Sequence, residues 1–219
     1  MRLANLVTGP IAAGLLGSTA MARPLIHLRN PPEVEAAFEA APPDALAEII
    51  DGALHVQARP GRRHTRSASR LGGELSGPFD RGRGGPGGWV ILDEPALHLG
   101  PGPDKLVPDL AGWRRERMPD ALGDPDDDAH YTLAPDWICE VISPSTERID
   151  RTKKMRIYLR EGVRHVWLLS PATQTLEVYT PDDRVAGRWT LLATHDGDER
   201  VRAEPFEAFE LELGALWEG

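Results

Sequence analysis

The chain lacks most of the features that would announce its class. It has one cysteine, Cys139, among 219 residues, so no intramolecular disulfide can form. Aromatic residues make up only 6% of it. It contains no uninterrupted run of about 20 apolar residues to span a membrane. Positive charge is in deficit: the formal net charge of −9 argues against binding nucleic acid through a general positive field, although a local basic cleft is compatible with it. His27, His55, His98, His130, His165 and His195 show none of the H-x-x-x-H spacing of a zinc site. Ser143 and Ser145 stand outside any G-x-S-x-G context, which argues against a serine hydrolase. The glycine-rich stretch Gly82–Gly88 lacks the Lys-Ser/Thr of a phosphate-binding loop and reads as a turn.

What is present suffices for one packed domain. At 41% hydrophobic residues the chain can bury a core, and its length suits one domain better than two. Helical and strand-like stretches alternate, so an α/β or α+β fold is expected. The domain is expected over residues 23–219, after a non-core segment 1–22. That segment is mildly apolar from Leu3 and ends in Ala20-Met-Ala22, like a weak secretory signal. Gly9-Pro10 and Gly14 interrupt it, and Met21 offers a simpler start, so a cytoplasmic protein without membrane attachment is expected.

Local signals place the elements. Pro31-Pro32 followed by Glu33 to Ala40 reads as a short helix with acids in its first turn. Asp51-Gly52 between two apolar runs, residues 45–50 and 53–58, is a hairpin signal. Arg62 to Leu75 has helical spacing at Ala68, Leu71 and Leu75. Residues 89–92 and 96–99 read as strands, and 114–134 as a polar loop. A helix capped by Ser145 or Thr146 should run to Glu161 and stop at Gly162, before a buried strand over 164–169. Residues 175–179 and 188–192 alternate like antiparallel strands at a sheet margin.

Two acids interrupt this pattern. Lys105–Gly112 reads as a buried strand with Asp109 inside it, and Pro135–Ile142 as another holding Glu140. In the second, alternation puts Ile138, Glu140 and Ile142 on one face, and Trp137, Cys139 and Val141 on the other. Both faces are apolar, as in a central strand covered on both sides, with Cys139 a small core residue. A carboxylate there is costly unless protonated, paired or bound to a cation. Two such acids on neighbouring strands would suit a divalent metal. The bland readings are a turn start for Asp109 after its proline and an arginine ion pair for Glu140.

Glu48-Ile-Ile-Asp-Gly52, His64, Val107-Pro-Asp-Leu110, Glu140-Val-Ile-Ser-Pro-Ser145, Asp150-Arg-Thr-Lys-Lys-Met-Arg-Ile-Tyr158 and Gly162-Val-Arg-His-Val-Trp167 occur in that order. The set resembles the Uma-two family, restriction-endonuclease-like proteins of the PD-(D/E)XK nuclease superfamily, over roughly residues 33–213. The resemblance implies a restriction-endonuclease-like fold, a mixed central β-sheet flanked by helices, and metal-dependent cleavage of DNA. It implies Asp109, Glu140 and Glu48 as ligands of Mg²⁺ or Mn²⁺, with Lys154 as the catalytic lysine. The superfamily's usual lysine position, two residues after the second acid, is Ile142 here. Taken alone, Glu48 could be a half-exposed strand residue and Lys154 an exposed helix lysine. His64, Arg62, Arg63 and Arg151 are weaker candidates for contacts to phosphate. A catalytically idle binding module is the alternative reading, and a homodimer paired along the strands beyond Leu176 is conceivable.

Overall fold

The structure is a computed structural model and describes residues 29–118 and 130–217, so the segment 1–22 and the acidic run 124–128 lie outside the described residues. Helix α1 (Pro32–Glu39) begins with proline and carries Glu33 and Glu35 in its first turn. Strands β1 (Ala45–Ile50) and β2 (Ala53–Ala58) form the hairpin expected of Asp-Gly. Asp51 and Gly52 take φ of 52° and 71°, the left-handed pair that a two-residue hairpin turn requires. Helix α2 (Arg62–Leu75) continues through a π-helical turn, Ser76–Asp80, into the glycine-rich loop. Strands β3 (Trp89–Asp93), β4 (Leu97–Leu99), β5 (Asp104–Leu106), β6 (Leu110–Arg114) and β7 (Trp137–Val141) follow. A helical crossover comes next: α3 (Glu147–Ile149), a π-helical turn over Asp150–Lys154, and α4 (Met155–Arg160). Gly162, at φ 88°, ends it and returns the chain into β8 (His165–Ser170). Strands β9 (Thr175–Pro181), β10 (Trp189–Asp196), β11 (Arg200–Val201) and β12 (Leu211–Glu212) lead to α5 (Gly214–Trp217).

Among the described residues the central sheet has the order β10-β9-β8-β7-β6-β3, and a smaller sheet has the order β2-β1-β5-β4. β7 and β8 are parallel, joined by the helical crossover, and the remaining neighbours of the central sheet are antiparallel. This is the mixed sheet flanked by helices that the family resemblance implied. Its core has two sides, as the alternation in β7 requires. Trp137, Cys139 and Val141 pack with Leu71 and Leu75 of α2 and with Phe206. Ile138 and Ile142 pack on the opposite side with Ile157 and Tyr158 of α4 and with the smaller sheet.

The structure corrects one strand. Residues 105–112 are not a continuous strand around Asp109, because the chain changes sheets there. Lys105 pairs with Ile49 and His98 in the smaller sheet, whereas Leu110 pairs with Cys139 in the central one. Pro108, which has no N–H to give to a ladder, stands at the break. Asp109 therefore sits at the corner between the sheets, beside Glu140 rather than within a strand. The polar loop also starts later than expected: β6 runs through Arg114, and Arg115–Arg117 form a 3₁₀ turn.

Among the described residues β10 and β3 are the two edges of the central sheet, and Leu191 and Leu192 of β10 are exposed. The β10 ladder to β9 slips between Leu191 and Ala193. A bulge of this kind bends the strand and breaks the local ladder.

Candidate active site

Asp109, Glu140, Glu48 and Lys154 come from four separate stretches of chain and meet at one place. β7 aims Glu140 into the side of the sheet covered by the crossover helix. β1 brings Glu48 from the smaller sheet, where its Oε1 accepts the Val107 N–H at 2.9 Å and anchors the corner. Asp109 Oδ2 accepts the Val141 N–H at 2.7 Å, so its side chain carries on the hydrogen bonding that Pro108 interrupts. Glu48 is 2% exposed and thus not the half-exposed strand residue it could have been.

Lys154 is likewise buried rather than solvated, at 3% exposure. Its Nζ lies 2.9 Å from Glu48 Oε1, 3.3 Å from Glu140 Oε1 and 3.6 Å from Asp150 Oδ1. Glu140 is thus ion-paired as the bland reading required, but to this lysine and not to an arginine. Tyr158 donates its hydroxyl to Glu140 Oε1. Asp150 and Tyr158 were not singled out from the sequence, although residues 150, 154 and 158 repeat at a spacing of one helical turn. Asp150 and Lys154 bound the π-helical turn, a rare widening often found at functional sites.

The electrostatics are those of too many acids around one lysine. Burial pushes the Glu140 carboxyl well above its ordinary pKa; Lys154 opposes the shift, and Asp150, Asp109 and Glu48 add to it. Burial likewise raises Asp150 against the pull of Lys154. The Lys154 ammonium is disfavoured by burial, yet Glu140, Glu48 and Asp150 together hold its pKa well above the ordinary value. Burial, then Glu140, raises the Tyr158 phenol, which keeps it a proton donor.

Asp109, Glu140, Asp150 and Lys154 line an open cleft of about 220 Å³, walled by Gly61 and His64 of the α2 entry and by Ser143, Ser145 and Thr146 after β7, with Glu48 and Tyr158 behind its surface. His64 Nε2 lies 3.3 Å from Asp109 Oδ1, while its buried Nδ1 has no partner. Burial works against the His64 charge, but the hydrogen bond and charge of Asp109 outweigh it and raise the pKa above the ordinary 6.5. The folded chain therefore binds this proton more tightly than the unfolded one. The resulting stabilisation is complete below pH ~6.5 and is lost as pH rises through the raised value. Melting curves of wild type and His64→Gln, taken from about pH 6 to about pH 9, should converge as pH rises. Parallel curves would mean that His64 carries no such proton.

Arg151 falls outside the site. Its guanidinium is held bidentate by Glu177 at 2.7 and 2.8 Å and by Glu147 at 2.9 Å, which leaves little to offer a phosphate. Arg62 and Arg63 lie exposed on the far side of the α2 entry. Another pairing had no local signal: His98 and His130 stack at 3.7 Å, and burial, His130 and Lys105 lower the His98 pKa to about 4.

Divalent metal is the implied cofactor, and the donor set suits it. Asp109 and Glu140 offer hard oxygens to the same cleft, in an excess of negative charge that a cation relieves. Among the described residues no three His, Cys, Asp or Glu side chains converge as a ready cage. A Mg²⁺-type site does not need one, since it commonly uses one or two carboxylates together with water and substrate phosphate.

Comparisons with known proteins bear on the family and the fold. A family model described as "Uma2: Putative restriction endonuclease" matches residues 34–214. Among solved structures, a protein from Anabaena variabilis ATCC 29413 described as "a putative nuclease belonging to DUF820" superposes with a TM-score of 0.64 at 22% identity, covering 82% of this chain and 94% of that one. The likeness establishes a shared fold. No curated protein matches. Among the described residues no helix is long and apolar enough to cross a membrane.

Proposed function

The chain belongs to the Uma2 family, and from that membership and the geometry of the cleft we propose that it is a divalent-metal-dependent endonuclease hydrolysing phosphodiester bonds in DNA. The observation that carries the proposal is the meeting of Asp109 and Glu140 beside Lys154 at the floor of an open cleft. Asp109 and Glu140, with Glu48 behind them, would hold Mg²⁺ or Mn²⁺. Bound there, the ion would supply a lowered pKa for water and charge for the attacked phosphate and leaving oxygen. The protein's own groups do the rest. Tyr158 and Lys154 fix the orientation of Glu140, and the Val141 N–H and His64 fix that of Asp109. Lys154 would offset charge on the phosphate, and Ser143, Ser145 and Thr146, whose hydroxyls hydrogen-bond one another at the cleft wall, would turn to donate to its oxygens.

One observation favours the catalytically idle alternative: Lys154 already neutralises part of the carboxylate cluster, as a structural ion pair would. Thermal melts separate the two readings. An intact site should raise the melting temperature as Mg²⁺ or Mn²⁺ is added, by about 2.7 kcal/mol of stability at a concentration one hundred times Kd. Asp109→Asn should lose that response. An idle module would melt alike in chelator and in metal.

A further inference from the structure

Three arginines of the α2 entry line a second concavity, next to the cleft and separate from it. A pocket of about 400 Å³, within the ~300–1,000 Å³ range of ligand sites, is lined by Arg62, Arg63, Arg66, Gln174, Leu216 and Trp217, among others. We propose that it is a subsite for single-stranded nucleic acid leaving the cleft, with backbone phosphates on the three arginines and one unstacked base on the Trp217 ring. The assignment rests on the phosphodiesterase reading above and adds the path of the strand and its single-stranded state.

Four observations carry it. First, the arginines stand where folding alone would not put them. α2 has no acidic residue in its first turn, and cations at a helix start oppose its dipole. Second, they are unspent: Arg59 pairs with Glu94 and Arg151 with Glu177, but Arg62, Arg63 and Arg66 make no ion pair among the described residues. On a chain of net charge −9, three arginines without ion-pair partners around one pocket make a local positive field that suits a polyanion. Third, the pocket holds a fixed aromatic. The Trp217 Nε1–H is held by the Gly197 carbonyl at 2.6 Å, and the half-buried residue borders both this pocket and a second one beside it. A ring so held is a stacking platform, and a base reaches it only when free of its own duplex. Gln174, at the unusual φ of 55° for a non-glycine, lines the same pocket with an amide that could meet a base edge. Fourth, the two concavities share one turn of helix. Gly61 and His64 wall the cleft, whereas Arg62, Arg63 and Arg66 line the pocket. A strand crossing that turn passes from one to the other.

The test is the affinity of the full chain for fluorescein-labelled oligothymidine and for a duplex of equal length, in chelator, across a salt series. Wild type should bind the single strand more tightly than the duplex. Arg62→Glu/Arg66→Glu should weaken single-strand binding at least about 10-fold and flatten the salt slope by about 1.4, the share of two phosphate contacts. The same double variant should melt no lower than wild type, because acids suit a helix start. Trp217→Leu should weaken binding about 10-fold with the slope unchanged, and Trp217→Phe should restore most of it. The subsite is overturned if wild type binds no oligonucleotide, if the arginine variant binds like wild type, or if duplex is preferred and Trp217→Leu is without effect. Cleavage by Glu140→Gln, measured in parallel, keeps the two proposals apart. If that variant cuts like wild type while the arginine variant has lost binding, the nuclease reading fails and the subsite stands. If only Glu140→Gln changes, the subsite fails and the nuclease reading stands.

Discussion

Glu140→Gln is expected to lose cleavage by at least about 10²–10³-fold while melting close to wild type, or above it. The two effects would separate because burial makes Glu140 costly to the fold while the proposed chemistry needs it. Burial and three neighbouring acids push its carboxyl well above the ordinary range, against the pull of Lys154. The amide has nearly the same shape and can still accept from Tyr158. Lys154 keeps Glu48 at 2.9 Å and Asp150 at 3.6 Å, so no buried charge is left unpaired. The stability change should therefore stay within about 1 kcal/mol. The measurements are melting temperature and cleavage rate on one preparation. A large fall in both would make Glu140 a structural residue; unchanged cleavage would remove it from the site.

Lys154→Met should behave in the opposite way and strike the fold first. Without the ammonium, Glu48, Glu140 and Asp150 face one another in a nearly dry environment. Removing one partner of a buried ionic group costs about 3–5 kcal/mol, or roughly 6–20 °C in melting temperature for a domain of this size. The loss should depend on pH, with a definite sign. Burial already raises Glu140 and Asp150 above their ordinary values, and Lys154 opposes both shifts. In the variant the folded carboxyls would bind protons more tightly than the unfolded ones, so stability should rise as pH falls from about 8 to about 5. A deficit that does not change with pH would mean that packing of the lysine stem matters more than its charge.

How much of this was legible in the sequence depends on whether the cause was local. The β1–β2 hairpin followed from Asp51-Gly52, the end of the crossover helix from Gly162, and the two-sided burial of β7 from the alternation around Glu140. Each is set by residues within one turn or strand. The position of Asp109 was half legible: Pro108 marked a break, but the change of sheet depends on pairing with Ile49 on one side and Cys139 on the other, which no window of sequence contains. Nothing within one turn of sequence marked Asp150 as buried, beside Glu147, Arg148 and Arg151. The π-helical turn that buries it with Lys154 arises from docking against the sheet. Arg151 looked available for the same reason, since Glu177, which holds it, lies on β9. The His98–His130 stack joins residues that no motif connects.

The central claim, hydrolysis by metal held at Asp109 and Glu140, is tested most directly by nicking of supercoiled DNA in Mn²⁺, in Mg²⁺ and in chelator, with Asp109→Asn beside wild type. The expected result is cleavage by wild type in either metal, none in chelator, and none by Asp109→Asn under any condition. Cleavage that persists in chelator, or that Asp109→Asn performs as well as wild type, would contradict it.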